Sequence, residues 1–129
     1  MNDERRTGAC LCGAVSFTVQ GPMRSVSVCH CGQCRAMSGH AWASAVAPRA
    51  AISTHGDVTW FRSSAVAERG FCARCGSSLF WRMDGQDFQS VALGALQAPT
   101  GLSLEKHIWA AHKGDYYQIA DGLPQLDEE

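Results

Sequence analysis

With 129 residues, 46% of them hydrophobic and 18% charged, the chain predicts a single packed domain over residues 1–129 and excludes extended disorder. Eleven Lys and Arg against twelve Asp and Glu leave a net charge of -1, which offers a polyanion no attractive field, so no nucleic-acid partner is expected. The opening MNDERRTGA leads into no sustained apolar stretch, so neither a secretory signal nor a membrane span is expected, and the predicted compartment is the cytoplasm.

In chain order, the charged residues 2–6 read as a solvated end. Residues 14–20 alternate, with Val15, Phe17 and Val19 on one side, which is the period of a half-buried strand. Val26 and Val28 repeat that pattern. Further strands are predicted at 42–47, 58–62, 78–83, 88–93 and 107–111, most of them bounded by Gly, Pro or Asp. The segment GQCRAMSG after Cys31 is short and glycine-flanked, so it predicts no more than a turn or two of helix, with another turn near 95–100. The acidic residues 127–129 read as a second solvated end. The predicted class is all-β.

Seven cysteines lie along these elements in three groups: C-x-C-G at Cys10 and Cys12, C-H-C-x-x-C at Cys29, Cys31 and Cys34, and C-x-x-C-G at Cys72 and Cys75. In a reducing compartment such clips point to metal or redox chemistry rather than disulfides. In a tetrahedral zinc–thiolate site the Zn–S bonds are near ~2.3 Å, so the sulfurs stand about 3.8 Å apart. Short spacings meet that demand. In C-x-x-C-G the chain reverses between the sulfurs and the glycine accepts the positive φ of the turn, while two strand cysteines in C-x-C leave by one face. Cys29, Cys31 and Cys34 lie within six residues and suffice as a tripod, whereas the two outer pairs need each other.

The partition therefore reads as a filled structural zinc on Cys10, Cys12, Cys72 and Cys75, and a catalytic zinc on Cys29, Cys31 and Cys34 with one corner free. The second zinc is the more labile. A thioredoxin-like role for either C-x-x-C lacks its βαβ setting. A nucleobase deaminase would require H-x-E before its cysteines, and a nucleic-acid zinc ribbon would require basic flanks. A wholly structural protein, with His30 or a partner completing the tripod, stays open beside the catalytic reading.

Three thiolates around Zn²⁺ carry one net negative charge, so such a site polarises water less than a three-histidine site. Its soft character suits a fourth sulfur, and a coordinated thiol is held as the nucleophilic thiolate. The implied chemistry is addition of a thiol to a small carbonyl, or cleavage of the resulting carbon–sulfur bond. A nearby cation would favour binding, and Arg35 beside Cys34 is the local candidate.

The runs ACLCGAVSF, VCHCGQCRAMSG, FRSS, RGFCARCGSSLFW, GAL, EKHIW and DGLP, spread over about residues 8–124, resemble the glutathione-dependent formaldehyde-activating (Gfa-like) enzyme family. The resemblance implies a β-tent fold of antiparallel sheets. It also implies the same two zinc sites, structural on Cys10, Cys12, Cys72 and Cys75, catalytic on Cys29, Cys31 and Cys34. The implied activity is carbon–sulfur lyase chemistry on a thiol–aldehyde adduct, with glutathione or a related small thiol and formaldehyde as partners. From another class, the alternative is a non-enzymatic zinc-binding scaffold.

Among the remaining residues, His107 and Trp109 are candidates to face the tripod, His107 moving a proton. His30, between two ligands, is expected to point away from the metal. Trp42, Trp60, Phe71, Phe80 and Trp81 are expected in the core or on a pocket wall.

Overall fold

The computed structural model describes residues 4–129. Of the charged opening, Asn2 and Asp3 lie outside the described residues. A first sheet orders β1 (Arg5–Ala9), β2 (Ser16–Gln20) and β5 (Ile52–His55) around β2, antiparallel throughout. A second sheet of seven strands runs β10 (Lys106–Ile108), β3 (Arg24–Cys29), β4 (Trp42–Pro48), β9 (Phe88–Ala92), β8 (Ser78–Met83), β7 (Ala67–Phe71), β6 (Thr59–Arg62). Its single α-helix among the described residues, α1 (Gly32–Ser38), bridges β3 and β4. The all-β class expected from the strand pattern is the class observed.

Alternation in β2 turns Phe17 and Val19 inward, with Val15 just before the strand, and these are among the most deeply buried side chains. They meet Leu79, Phe80 and Val91 from one face of the large sheet, and the rings of Phe17 and Phe80 cross edge to face at 5.1 Å. Burial of each such side chain contributes about 1.5–3 kcal/mol, so this layer between the sheets is the main store of apolar stabilisation. Gly8 of β1 pairs with Phe17, and a Cβ there would collide with the Phe17 ring and the Ala95 carbonyl. Close approach of β1 thus depends on that missing side chain.

The large sheet presents its other face to a cavity. Val46, Ser90, Trp81 and Arg69 are successive register partners across β4, β9, β8 and β7, and all four line that cavity. A second apolar cluster gathers here, Cys29, Cys34, Trp42 and Ala92 packing with Trp81, Ile108 and Trp109.

Several expectations need correction. Arg5 and Arg6 belong to β1, where Arg6 donates to the Thr100 carbonyl at 2.7 Å, so they are no loose end. Strands β5 and β7 were not expected. The strand placed at 107–111 is only Lys106–Ile108, and it pairs parallel to β3, so the sheet is not wholly antiparallel. Trp109, at φ 55, ends it and a 3-10 turn follows over Ala110–His112. The segment after Cys31 is a seven-residue α-helix, capped by the Cys31 sulfur and by Gly39. The turn sought near 95–100 falls at Leu93–Ala95. Glu129 is held by Lys106 at 3.0 Å rather than free.

Candidate metal centres

The sulfurs of Cys10, Cys12, Cys72 and Cys75 lie within 4.8 Å of one another. Cys10 to Cys12 is 3.7 Å and Cys12 to Cys72 is 3.8 Å, the separation that four thiolates take around zinc. All seven cysteines are free thiols. The Cys10–Cys12 pair sits in the turn after β1 rather than on a strand, where the Gly13 N–H donates to the Cys10 carbonyl. After β7, the Gly76 N–H closes the second clip onto the Cys72 carbonyl at 2.7 Å, with Gly76 at φ +81, the conformation that makes glycine the fitting residue there. Ser77 joins the two clips: its hydroxyl accepts from the Leu11 N–H at 3.0 Å and lies 3.1 Å from the Cys75 sulfur. That hydroxyl, foremost, brings the Cys75 thiol down to about 5. The donor set fits zinc.

The second group is Cys29, Cys31 and Cys34, again with sulfurs within 4.8 Å. Cys29 closes β3, Cys31 is the N-cap of α1, and Cys34 stands in its first turn with its N–H directed at the Cys31 sulfur. A sulfur replaces the usual capping oxygen, so the fold of the ligand loop and the grouping of its thiols are one feature. The hydrogen bond from Cys29 holds the Cys31 thiol far below its ordinary value, and giving that hydrogen pushes Cys29 up. A cation would relieve this unequal sharing of protons. No other His, Cys, Asp or Glu joins the trio among the described residues.

Cys29, Cys31 and Cys34 line a cavity of about 560 Å³, whose walls include Trp42, Trp81 and Trp109. That volume is in the range of small-molecule sites. Trp109 is a bulky residue in the left-handed region, and its ring stands edge-on to His112, another cavity residue, at 5.3 Å. Strain of this kind tends to gather at working sites.

The cation at the trio is Arg69, not Arg35. Arg35 donates to the carbonyls of His30 and His112, tying the ligand loop to the later turn. Arg69 Nη1 donates to the Cys34 sulfur at 3.4 Å and Nη2 to Gln33 Oε1 at 3.3 Å. Sequence reasoning passed over Arg69 because an arginine in AERGF reads as surface. Its place three residues before Cys72 was the available signal.

His107 is absent from the cavity wall, because alternation along β10 turns Lys106 and Ile108 toward the cavity and His107 to the opposite side. It is buried, with Nε2 2.7 Å from Asp121 Oδ2 and Nδ1 2.8 Å from His30 Nε2; His30 Nδ1 lies 2.6 Å from the Tyr117 hydroxyl. One set of protons satisfies every atom. His107 Nε2–H donates to Asp121, His30 Nε2–H to His107, and the Tyr117 hydroxyl to His30. Burial, foremost, lowers His30, which agrees with its uncharged place in this chain. The His30 ring is absent from the cavity wall and is bound to His107 and Tyr117 in the interior rather than lying on the surface. Of the aromatics, Phe80 is core, Trp42 and Trp81 are cavity wall, and Trp60 packs on the core with Arg82 stacked 3.6 Å over it.

A sequence model of the glutathione-dependent formaldehyde-activating enzyme family matches residues 5–112. An uncharacterized lyase of Schizosaccharomyces pombe is 26% identical over 116 residues, covering 88% of this chain and 85% of its own. A crystal structure of a Rhodobacter sphaeroides protein superposes with a TM-score of 0.60 at 23% identity, over 71% of this chain and 88% of its own, a likeness of fold.

Proposed function

The chain belongs to the glutathione-dependent formaldehyde-activating enzyme family, and on that premise we propose a zinc-dependent carbon–sulfur lyase that forms and cleaves the adduct of a small thiol with a small aldehyde. Glutathione and formaldehyde are the substrates that the family points to. The two sheets are read as the family's β-tent. The observation that carries the reading is a trio of free thiols, Cys29, Cys31 and Cys34, opening on a cavity with no fourth protein ligand among the described residues. A zinc held there would supply a soft Lewis-acidic position at which a visiting thiol loses its proton.

The protein's own residues do the rest. Trp42, Trp81 and Trp109 wall the site with apolar surface, which keeps the local dielectric low and strengthens the attraction between charges. The adding sulfur forms a bond to the carbonyl carbon, the carbonyl π pair moves to oxygen, and that oxygen takes a proton; cleavage runs the same steps backward. His112 is the imidazole on the cavity wall and is assigned to that proton, in place of His107. His107 is a positioning residue: through His30 it fixes the backbone between Cys29 and Cys31. Cys10, Cys12, Cys72 and Cys75 are the structural zinc ligands. No helix of the described residues is long and apolar enough to cross a membrane. Seven free thiols favour the cytoplasm as the compartment.

The test is exchange NMR of formaldehyde, glutathione and their adduct with the zinc-loaded protein. Exchange faster than with equimolar free zinc, and lost in Cys31→Ser, is expected. A rate equal to that of free zinc would leave a scaffold and no enzyme.

A further inference from the structure

Arg69 has an environment that a surface-type residue does not explain. It is 6% exposed, its Nε is buried with no hydrogen-bond partner, and no carboxylate pairs with it among the described residues. The neighbouring acid on β7, Glu68, is engaged elsewhere, by Arg62 at 3.1 Å and Arg82 at 3.4 Å. A guanidinium cannot shed its proton, so burying it without an anion is strongly unfavourable. Among the described residues, the group that can carry negative charge and accepts a hydrogen bond from it is the Cys34 sulfur. With neutral thiols around it, Arg69 would be an orphaned buried charge.

We propose that Arg69 is the permanent counter-charge of the Cys29–Cys31–Cys34 cluster, allowing the sulfurs to stay anionic around a metal and a further anionic sulfur to approach. The inference rests on the reading that this trio holds a metal. Three thiolates, one divalent cation and one guanidinium sum to zero, so a fourth thiolate brings the pocket to one negative charge instead of two. The fork of Arg69 also reaches Gln33, between two of the ligands, which lysine could not match while touching sulfur. Arg69 is joined through Gly70 and Phe71 to Cys72, so the four-sulfur centre holds the strand that delivers the charge. Arg69 is a positioning and electrostatic residue, not one that exchanges protons.

The test compares zinc-loaded wild type, Arg69→Met and Arg69→Lys as full chains. Zinc is withdrawn by competition with pyridylazoresorcinol, and near-UV circular dichroism monitors folding. The expected result is a second-zinc affinity at least about tenfold weaker in Arg69→Met, a modest share of what one charge exerts at this separation. The first zinc should be unchanged and Arg69→Lys should recover part of the loss. Cobalt-loaded samples titrated with glutathione should show the same ranking of thiol affinity. Second-zinc affinity in Arg69→Met within about twofold of wild type would overturn the assignment. So would equal losses in Arg69→Lys and Arg69→Met, which would mean packing rather than charge. If Arg69→Met does not fold, Arg69→Gln is read against Arg69→Lys by the same criteria. A wild type with a single zinc would instead bring down the metal reading itself, and this inference with it.

Discussion

The two cysteine groups offer the same ligand atom in opposite settings. Cys10, Cys12, Cys72 and Cys75 come from two segments 60 residues apart and use each other to complete a four-sulfur set beside the core. Cys29, Cys31 and Cys34 come from one short stretch, stop at three, and face a cavity walled by tryptophan with a buried arginine alongside. Metal held by the first group would tie distant parts of the chain together, so its binding energy would be folding energy. Metal held by the second would close a loop that strand pairing and a helix cap already shape. On the proposed reading, a stapling site and a working site would differ in how many corners the chain keeps for itself.

The largest effect expected from this contrast is that of Cys72→Ser. Structural zinc contributes on the order of 10–16 kcal/mol in small domains, so the variant should lose its cooperative thermal transition by near-UV circular dichroism. A native-like melt would show that the four-sulfur centre does not hold the sheets together. Next comes Phe17→Ala, which strikes the core between the sheets without removing a ligand. A loss of about 3–5 kcal/mol is expected from denaturant unfolding, with metal content per folded chain unchanged. Unequal loss of the two metals would tie that layer to one group.

The same contrast was partly legible before the fold was seen. Period-two alternation exposed β2 because that strand has one apolar face, while the central strands of the large sheet, buried on both faces, were legible from the Gly, Pro and Asp that bound them. The cysteine clips were equally plain, since thiolates around one ion demand close spacing. Strand β7 hid its nature, for AERGF sends Arg69 inward to a sulfur and Glu68 outward to two arginines, inverting the usual binary pattern. Charge hid β1 likewise, since Arg6 is tied down by contacts with Glu4, Gly21 and Thr100 that local sequence does not announce. The His30–His107–Asp121 chain joins residues 77 and 14 positions apart: the parallel pairing of β10 with β3 brings His107 to His30, and the later segment bridged to His107 at Gln125 brings Asp121.

Smaller effects sharpen the comparison. Cys31→Ser should keep a wild-type thermal midpoint to within a few degrees, because the loop retains its strand and helix, yet lose the second zinc and the exchange activity. Destabilisation equal to that of Cys72→Ser would erase the division between the groups. Asp121→Asn should have the least effect and a pH signature. The hydrogen bond from His107, foremost, holds the Asp121 carboxyl below its ordinary value of 3.8. A carboxyl lowered by folding stabilises the native state above its unfolded value, and that contribution fades as pH falls through the folded value. The stability difference between wild type and Asp121→Asn should therefore shrink on acidification below about pH 4, read from paired urea midpoints. A difference that stays constant with pH would remove the charge from the His107 pair.

The central claim, that the trio keeps one metal corner for an incoming thiol, is met most directly by X-ray absorption on the Cys72-intact, fully zinc-loaded chain before and after glutathione. Two zincs averaging fewer than four sulfurs each, rising to four on addition of the thiol, is the predicted result. Four sulfurs per zinc from the start, or a spectrum that glutathione leaves unchanged, would contradict it.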